Sequence, residues 1–245
     1  MKYGLQMYSM RDVTPKDMEG ALRDCAEMGY GMVEFAGFFG HDADQIRQWL
    51  DRCGLTCSGT HSGADGLLAE NLEASIAYHK TIGCENYIVP GADLSTRENL
   101  DRFIDLVNTA QPILHRAGIK LHYHNHSHEF YPNKDGLMIH EELQKRTSLF
   151  FELDTFWVFN AGVDPIALME KLKDRVRVIH LKDGLLGGEG RPLGMGEAPV
   201  KQVRAFAIEH GFDMVVESEG LSPSGPEEVK RCIDFLKECD LAEGI

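Results

Sequence analysis

No apolar run in this chain approaches the roughly 18 residues that a membrane-spanning helix needs, so no membrane partner is expected. Positive charge is scarce as well. The 25 Lys and Arg residues stand against 39 Asp and Glu, a formal net charge of −14. A surface of that sign repels phosphate backbones, which argues against nucleic acid as a partner. The six cysteines (Cys25, Cys53, Cys57, Cys84, Cys232 and Cys239) include no Cys-x-x-Cys pair. They are spread through helical and strand-like patterns, so they read as reduced and buried. Met1-Lys2 runs directly into a strand-like pattern, leaving no room for a signal peptide. A cytoplasmic protein is the expectation. The chain also lacks a Gly-x-Gly-x-x-Gly turn after its first strand-like run, which counts against an open doubly wound sheet. No linker or low-complexity tract divides residues 1–245, so one domain is expected.

What is present is a repeat. Gly29, Gly54, Gly83, Gly118 and Gly211 each end an amphipathic run and precede a short apolar one. Glycine just past a helix end takes the left-handed conformation that closes the last turn. The separations are 25, 29, 35 and 93 residues, the last being three times 31. Two junctions inside that gap lack the glycine, and Lys145-Arg146-Thr147 and Asp174-Arg175 fit their places. A period near 31 gives about eight strand–helix units in 245 residues. The pattern predicts strands over 3–8, 31–35, 56–61, 86–90, 120–124, 149–154, 176–181 and 212–217. Helices are predicted over 15–28, 43–53, 68–82, 96–116, 140–145, 165–173, 200–210 and 226–239. Capping boxes are expected at Ser95 and Ser224, and Asp164-Pro165 reads as a cap with proline at the first helical position. Eight alternating units demand parallel strands, and closing the sheet removes both edges. The expected fold class is α/β, a (β/α)8 TIM barrel.

In such barrels the chemistry sits at the C-terminal ends of the strands. Here Glu34, His61, His124, Asp154, His180 and Glu217 close mostly apolar runs. His122 and Glu152 lie one pleat deeper on the same faces as His124 and Asp154, because alternate strand residues share a face. They read as a buried layer beneath the mouth. His124, Asp154, His180 and Glu217 fall on four successive strand ends, and two imidazoles with two carboxylates suit one Mn²⁺, Co²⁺ or Zn²⁺ better than Mg²⁺ or Ca²⁺. Phe38, Phe39, Phe156 and Trp157 follow strand ends and could wall a pocket, or simply pack.

Phe151-Glu152-Leu153-Asp154-Thr155, His180-Leu181-Lys182-Asp183 and Val215-Val216-Glu217 resemble strand ends of the xylose-isomerase-like sugar phosphate isomerase/epimerase superfamily. Tyr123-His124-Asn125-His126-x-x-Glu129-Phe130 resembles a signature of one of its branches, and Gly162-Val163-Asp164-Pro165 extends the likeness over nearly the whole chain. The resemblance implies a divalent metal held by Asp154, His180 and Glu217. His124 stands where most members carry a fifth-strand Glu. Either His124 is the fourth ligand, or His126 or Glu129 supplies it; His124 is favoured, being at the strand end and 30 residues before Asp154. The superfamily's apurinic-site endonucleases bind three zinc ions through an Asp-x-x-His after the sixth strand and an Asp-x-His after the seventh. This chain has Asp154-Thr155-Phe156-Trp157 and no Asp or His between Gly184 and Glu197, so DNA repair is not expected.

The resemblance further implies an isomerase or epimerase acting on a ketose or related sugar through an enediolate. Glu217 is the leading proton-transfer group, with His126 or Glu129 replacing the fifth-strand acid and Lys182 bonding a developing alkoxide. Glu34 and His61 would orient substrate hydroxyls, and Trp157 and Arg191 would complete the substrate contacts. The glycine-rich loop around Arg191-Pro192-Leu193-Gly194 reads either as a lid or as a flexible surface loop, and it has no phosphate-cradle pattern. Two alternatives stand beside this reading: a metal-dependent lyase, hydrolase or dehydratase on keto-sugars such as 3-keto-glycosides, and a non-catalytic sugar-binding barrel. A homodimer is expected from the fold class alone.

Overall fold

Each short apolar run becomes a strand, and each amphipathic run after it becomes a helix that lays its apolar stripe on the strand's outer face. In the computed structural model, which describes residues 1–245, the order begins β1 (Gly4–Gln6), α1 (Met18–Met28), β2 (Met32–Phe35), α2 (Ala43–Cys53), β3 (Thr56–His61) and α3 (Leu72–Ile82). It continues β4 (Asn86–Val89), α4 (Arg97–Arg116), β5 (Lys120–His124), α5 (Ile139–Arg146), β6 (Phe150–Asp154), α6 (Thr155–Asn160), α7 (Pro165–Leu172) and β7 (Val176–Leu181). A small antiparallel pair, β8 (Asp183–Gly184) and β9 (Gly190–Arg191), precedes α8 (Val200–His210), β10 (Asp213–Val216) and α9 (Gly225–Glu243).

The eight parallel strands close in the order β1-β10-β7-β6-β5-β4-β3-β2. Closure is made by Gly4 opposite Val215 and Leu5 opposite Val216. The expected (β/α)8 TIM barrel is the observed fold. Its glycine-marked junctions are helix ends: Gly29 and Gly83 close α1 and α3 at φ of +103° and +73°. The two glycine-free junctions end α5 in an extended Thr147 and α7 in a 3-10 turn at Lys173–Arg175.

Helix α2 shows the local logic. Asp42 accepts the Gln45 N–H at 2.8 Å, and Ile46, Trp49 and Leu50 fall on the buried stripe at helical spacing. Asp164 caps α7 with Pro165 in its first turn, and Ser224 caps α9. The cap of α4 differs from expectation by one residue. It is Thr96, accepting from Asn99 N at 3.2 Å, so no glutamate sits at the reciprocal position. The first strand is shorter than predicted, because Met7–Met10 turn into a 3-10 helix whose Tyr8 N–H is held by the Gln6 side chain. The six-residue α6 begins directly at the end of β6 and was not expected.

The largest apolar cluster lies between barrel and helices. On β5, for example, Leu121 and Tyr123 face outward, Tyr123 packing edge-on to Phe103 of α4, while His122 and His124 point into the barrel. At the N-terminal end of the barrel, buried Arg204 on α8 bonds Tyr3, Asp240 and Glu243, tying α8 and α9 to the residue that leads into β1. No helix is long and apolar enough to cross a membrane.

Candidate metal centre

Strand register assembles the centre. Parallel pairing sets His124 opposite Glu152 across β5/β6, and Asp154 opposite His180 across β6/β7. Glu217 follows β10, whose Val215 pairs with His180. The structure thus brings together His124, Asp154, His180 and Glu217, all buried, with their ligand atoms within 4.8 Å of one another. A tetrahedral ion with ligands about 2.0–2.1 Å away spaces them about 3.3–3.4 Å apart. His180 Nδ1 lies 3.3 Å from Glu217 Oε2 and 3.8 Å from Asp154 Oδ2.

A second set shares two of these residues: His61, His124, Glu152 and His180. Hydrogen bonding separates the two. His180 turns Nε2 toward Glu34 Oε1 at 2.8 Å, and His124 turns Nδ1 toward Glu152 Oε2 at 3.1 Å. Each imidazole therefore has one nitrogen against a buried carboxylate, the arrangement that fixes the tautomer of a metal-ligating histidine. His180 Nδ1 is buried without a hydrogen-bond partner, and so is Asp154 Oδ2. Asp154 spends its other oxygen on the Trp157 N–H at 2.9 Å, capping α6. Orphaned buried donors and acceptors are rare. Two facing each other among His and acid side chains fit a divalent ion, with Glu34 and Glu152 beneath it.

The electrostatics follow from crowding. Burial pulls the His61 pKa down, but Glu34 and Glu152 outweigh it and raise it to about 9. His180 is likewise held well above its ordinary value against burial, by Glu152, Glu34 and Glu217. Burial and the Glu34 charge push Glu152 up to about 8, whereas His180 and His61 overcome burial to keep Glu34 well below the carboxylate range. Burial, with His180 and His61 nearby, lowers His124 well below its ordinary value. For Glu217, Lys182 and His180 overcome burial and keep the carboxylate charged. The Lys182 ammonium, also buried, lies 2.9 Å from Glu217 Oε2, 3.0 Å from Glu219 Oε2 and 3.6 Å from Asp154 Oδ2, over the Trp157 ring. These carboxylates raise its pKa despite burial.

Above the centre opens a cavity of about 330 Å³ lined by Tyr8, Ala36, His61, Pro90, His124, His126, Glu217 and Glu219. Of the residues expected to act there, His61, His124, His126 and Glu217 line it. Glu34 does not: it is fully buried under His180 and accepts from Gln6 Nε2 at 2.6 Å. Glu129 is fully buried too, taking the Tyr123 hydroxyl at 2.8 Å and the His126 N–H at 2.8 Å. It shapes the loop after β5 and does not reach the cavity. Arg191 sits on the small β8–β9 hairpin, paired with Glu189, outside the cavity lining.

Tyr8 and Glu219 were missed: Tyr8 ends the strand expected over 3–8, which turns instead into the 3-10 helix Met7–Met10, and Glu219 lies beyond the strand expected over 212–217. Asn125 was missed as well; its side chain clamps the backbone of Asp154, accepting at 3.2 Å and donating at 3.3 Å. The loop after β7 is not free-standing. Buried Asp183 accepts the backbone N–H groups of Gly184, Gly194, Gly196 and Ala198 at 2.8–3.1 Å.

Comparison with known proteins agrees with this architecture. A family model described as xylose isomerase-like TIM barrel matches residues 22–239. A crystal structure of a sugar phosphate isomerase/epimerase from Parabacteroides distasonis ATCC 8503 superposes with a TM-score of 0.84 at 25% identity, covering 96% of this chain and 97% of that one. The probable 3-DHS dehydratase AsbF of Bacillus anthracis shares the fold, with a TM-score of 0.76 at 13% identity over 97% of this chain and 99% of that one. A curated relative, the inosose dehydratase of Geobacillus kaustophilus (strain HTA426), is 24% identical over 186 residues, 66% of this chain. The match spans 60% of that relative's length.

Proposed function

The chain belongs to the xylose isomerase-like TIM-barrel family, and on that premise we propose that it is a divalent-metal-dependent isomerase or epimerase of a ketose or related sugar. The observation that carries the reading is the pair of imidazoles, His124 and His180, each backed by a buried carboxylate and facing Asp154 and Glu217. Those four residues would hold one Mn²⁺, Co²⁺ or Zn²⁺. When bound, such an ion supplies Lewis-acid polarisation of a carbonyl and its neighbouring hydroxyl.

The chain's own groups do the proton work. Glu217, kept ionised by Lys182 and His180, takes the proton from the carbon beside the carbonyl. His126, which lines the same cavity, returns a proton at the other face or the adjacent carbon. Lys182 is a fixed ammonium at the Glu217 carboxylate, placed to bond an alkoxide as charge develops. His61 orients a substrate hydroxyl, and Trp157 braces Lys182 from below. Glu34 and Glu129 act by positioning His180 and His126, and Arg191 reaches substrate only if its hairpin closes over the cavity.

A second reading is supported by the likeness to an inosose dehydratase. The same deprotonation followed by loss of a β-hydroxyl makes a dehydratase. Incubating the Mn²⁺-loaded protein with keto-sugars in D₂O tests both. Deuterium at the α-carbon without loss of water supports isomerisation or epimerisation, and an unsaturated product supports elimination. Asp154→Ala is expected to lose the ion and all exchange with an unchanged circular dichroism spectrum. A variant that keeps both would overturn the metal-dependent mechanism.

A further inference from the structure

The loop leaving β5 carries a second group of metal-ligating atoms, apart from the four at the barrel mouth. His126 and His128 stand two residues apart on it, their rings stacked with centroids 5.8 Å apart. Together with Glu129 they offer three ligand atoms within 4.8 Å of one another. His128 Nε2 and Glu129 Oε1 are 3.2 Å apart, close to the ~3.3–3.4 Å spacing of two ligands on one tetrahedral ion. Glu129 is held in place by the Tyr123 hydroxyl and the His126 N–H, so ordering this carboxylate adds little further entropy cost. The His128 side chain is 62% exposed, which gives an ion direct access from solvent. The mouth set is buried.

Two imidazoles and one carboxylate are the donors of zinc-class ions and a poor match for Mg²⁺ or Ca²⁺. We propose that His126, His128 and Glu129 form a second cation site at the rim of the barrel, taking Zn²⁺ or a similar borderline ion. His126 is the member shared with the cavity, its ring 5.0 Å from that of His124. An ion at the rim ties His126 to His128 and withdraws its lone pair from proton transfer, so excess zinc inhibits. That inhibitory consequence rests on the role of His126 proposed above; the site itself does not.

The test counts ions. Wild type, His128→Ala and Asp154→Ala are stripped with a chelator, dialysed against excess Zn²⁺ and assayed by mass spectrometry. Two zinc ions per chain are expected in the wild type and one in each variant. In a competition titration, His128→Ala should lose the weaker ion and change the affinity of the stronger by less than about twofold, the two sites sharing no ligand. Two ions retained by His128→Ala overturn the rim site, as does a single wild-type ion that His128→Ala leaves in place. A single wild-type ion lost in His128→Ala and kept in Asp154→Ala upholds the rim and overturns the mouth reading instead.

Discussion

Glu34 shows how much depends on where one carboxylate points. Its Oε1 lies 2.8 Å from His180 Nε2, and its Oε2 lies in space that a side chain at position 59 would fill. A Cβ on Gly59 would stand 2.8 Å from that oxygen and 2.4 Å from Ile88 Cδ1, so the glycine makes room for the acid. Glu34→Gln keeps the shape but can turn its amide nitrogen toward His180 and disturb the tautomer that leaves Nδ1 free. Metal affinity is expected to fall about 10–100-fold, read by chelator competition, with secondary structure unchanged. Strand alternation alone placed Glu152 beneath Asp154, because both lie on one strand. It could not place Glu34, whose depth is set by pairing with Gln6 of β1 and Gly59 of β3, a register between neighbouring strands that alternation within one strand does not fix.

The loop after β7 makes the same point at the scale of an element. Its six glycines read as a lid or a flexible surface loop, yet Asp183 anchors both ends of it through four backbone N–H groups. Asp183→Ala leaves those donors without their partner. The expected result is faster amide exchange across 184–198 and a loss of about 1–3 kcal/mol in stability. Unchanged exchange there would show that the clamp is dispensable. The barrel itself was legible because strand–helix alternation, apolar stripes and glycine closures are local. The four mouth residues were legible because strand ends in a closed barrel converge. Glu129 was not: nothing in Tyr123–Phe130 reveals that its carboxylate turns inward to Tyr123 and the loop backbone. The short α6 escaped notice because Asp154, read as a possible ligand, also caps it.

For the whole molecule, the raised pKa values at the centre make stability depend on pH. His61 rises from 6.5 to about 9 and Glu152 from 4.5 to about 8. Both groups hold protons in the folded protein that the unfolded chain releases, so stability must fall as pH rises through these values. The His61 contribution is complete below about 6.5 and lost by about 9, and the cost of proton-holding Glu152 grows up to about 8. The metal-stripped protein is therefore expected to melt at a lower temperature at pH 9 than at pH 6.5. The fall should be shallower in His61→Asn. A flat or rising profile would contradict these assignments.

The polar layer at the barrel's centre has one further consequence, for evolution and engineering. Buried Gln6, Glu34, Glu152 and His180, with His61 between them and the cavity, occupy an interior that branched aliphatic side chains usually fill. Buried ion pairs are often less stabilising than well-packed hydrophobic replacements, by about 1–4 kcal/mol. A barrel repacked with Leu, Ile and Met at Glu34, His61, Glu152 and His180 should melt at a higher temperature than the native chain and bind no ion at its mouth. Selection for thermal tolerance alone would thus erode the centre. Its persistence in a functional lineage would reflect selection for what the centre does, at the expense of the most stable fold this backbone can reach.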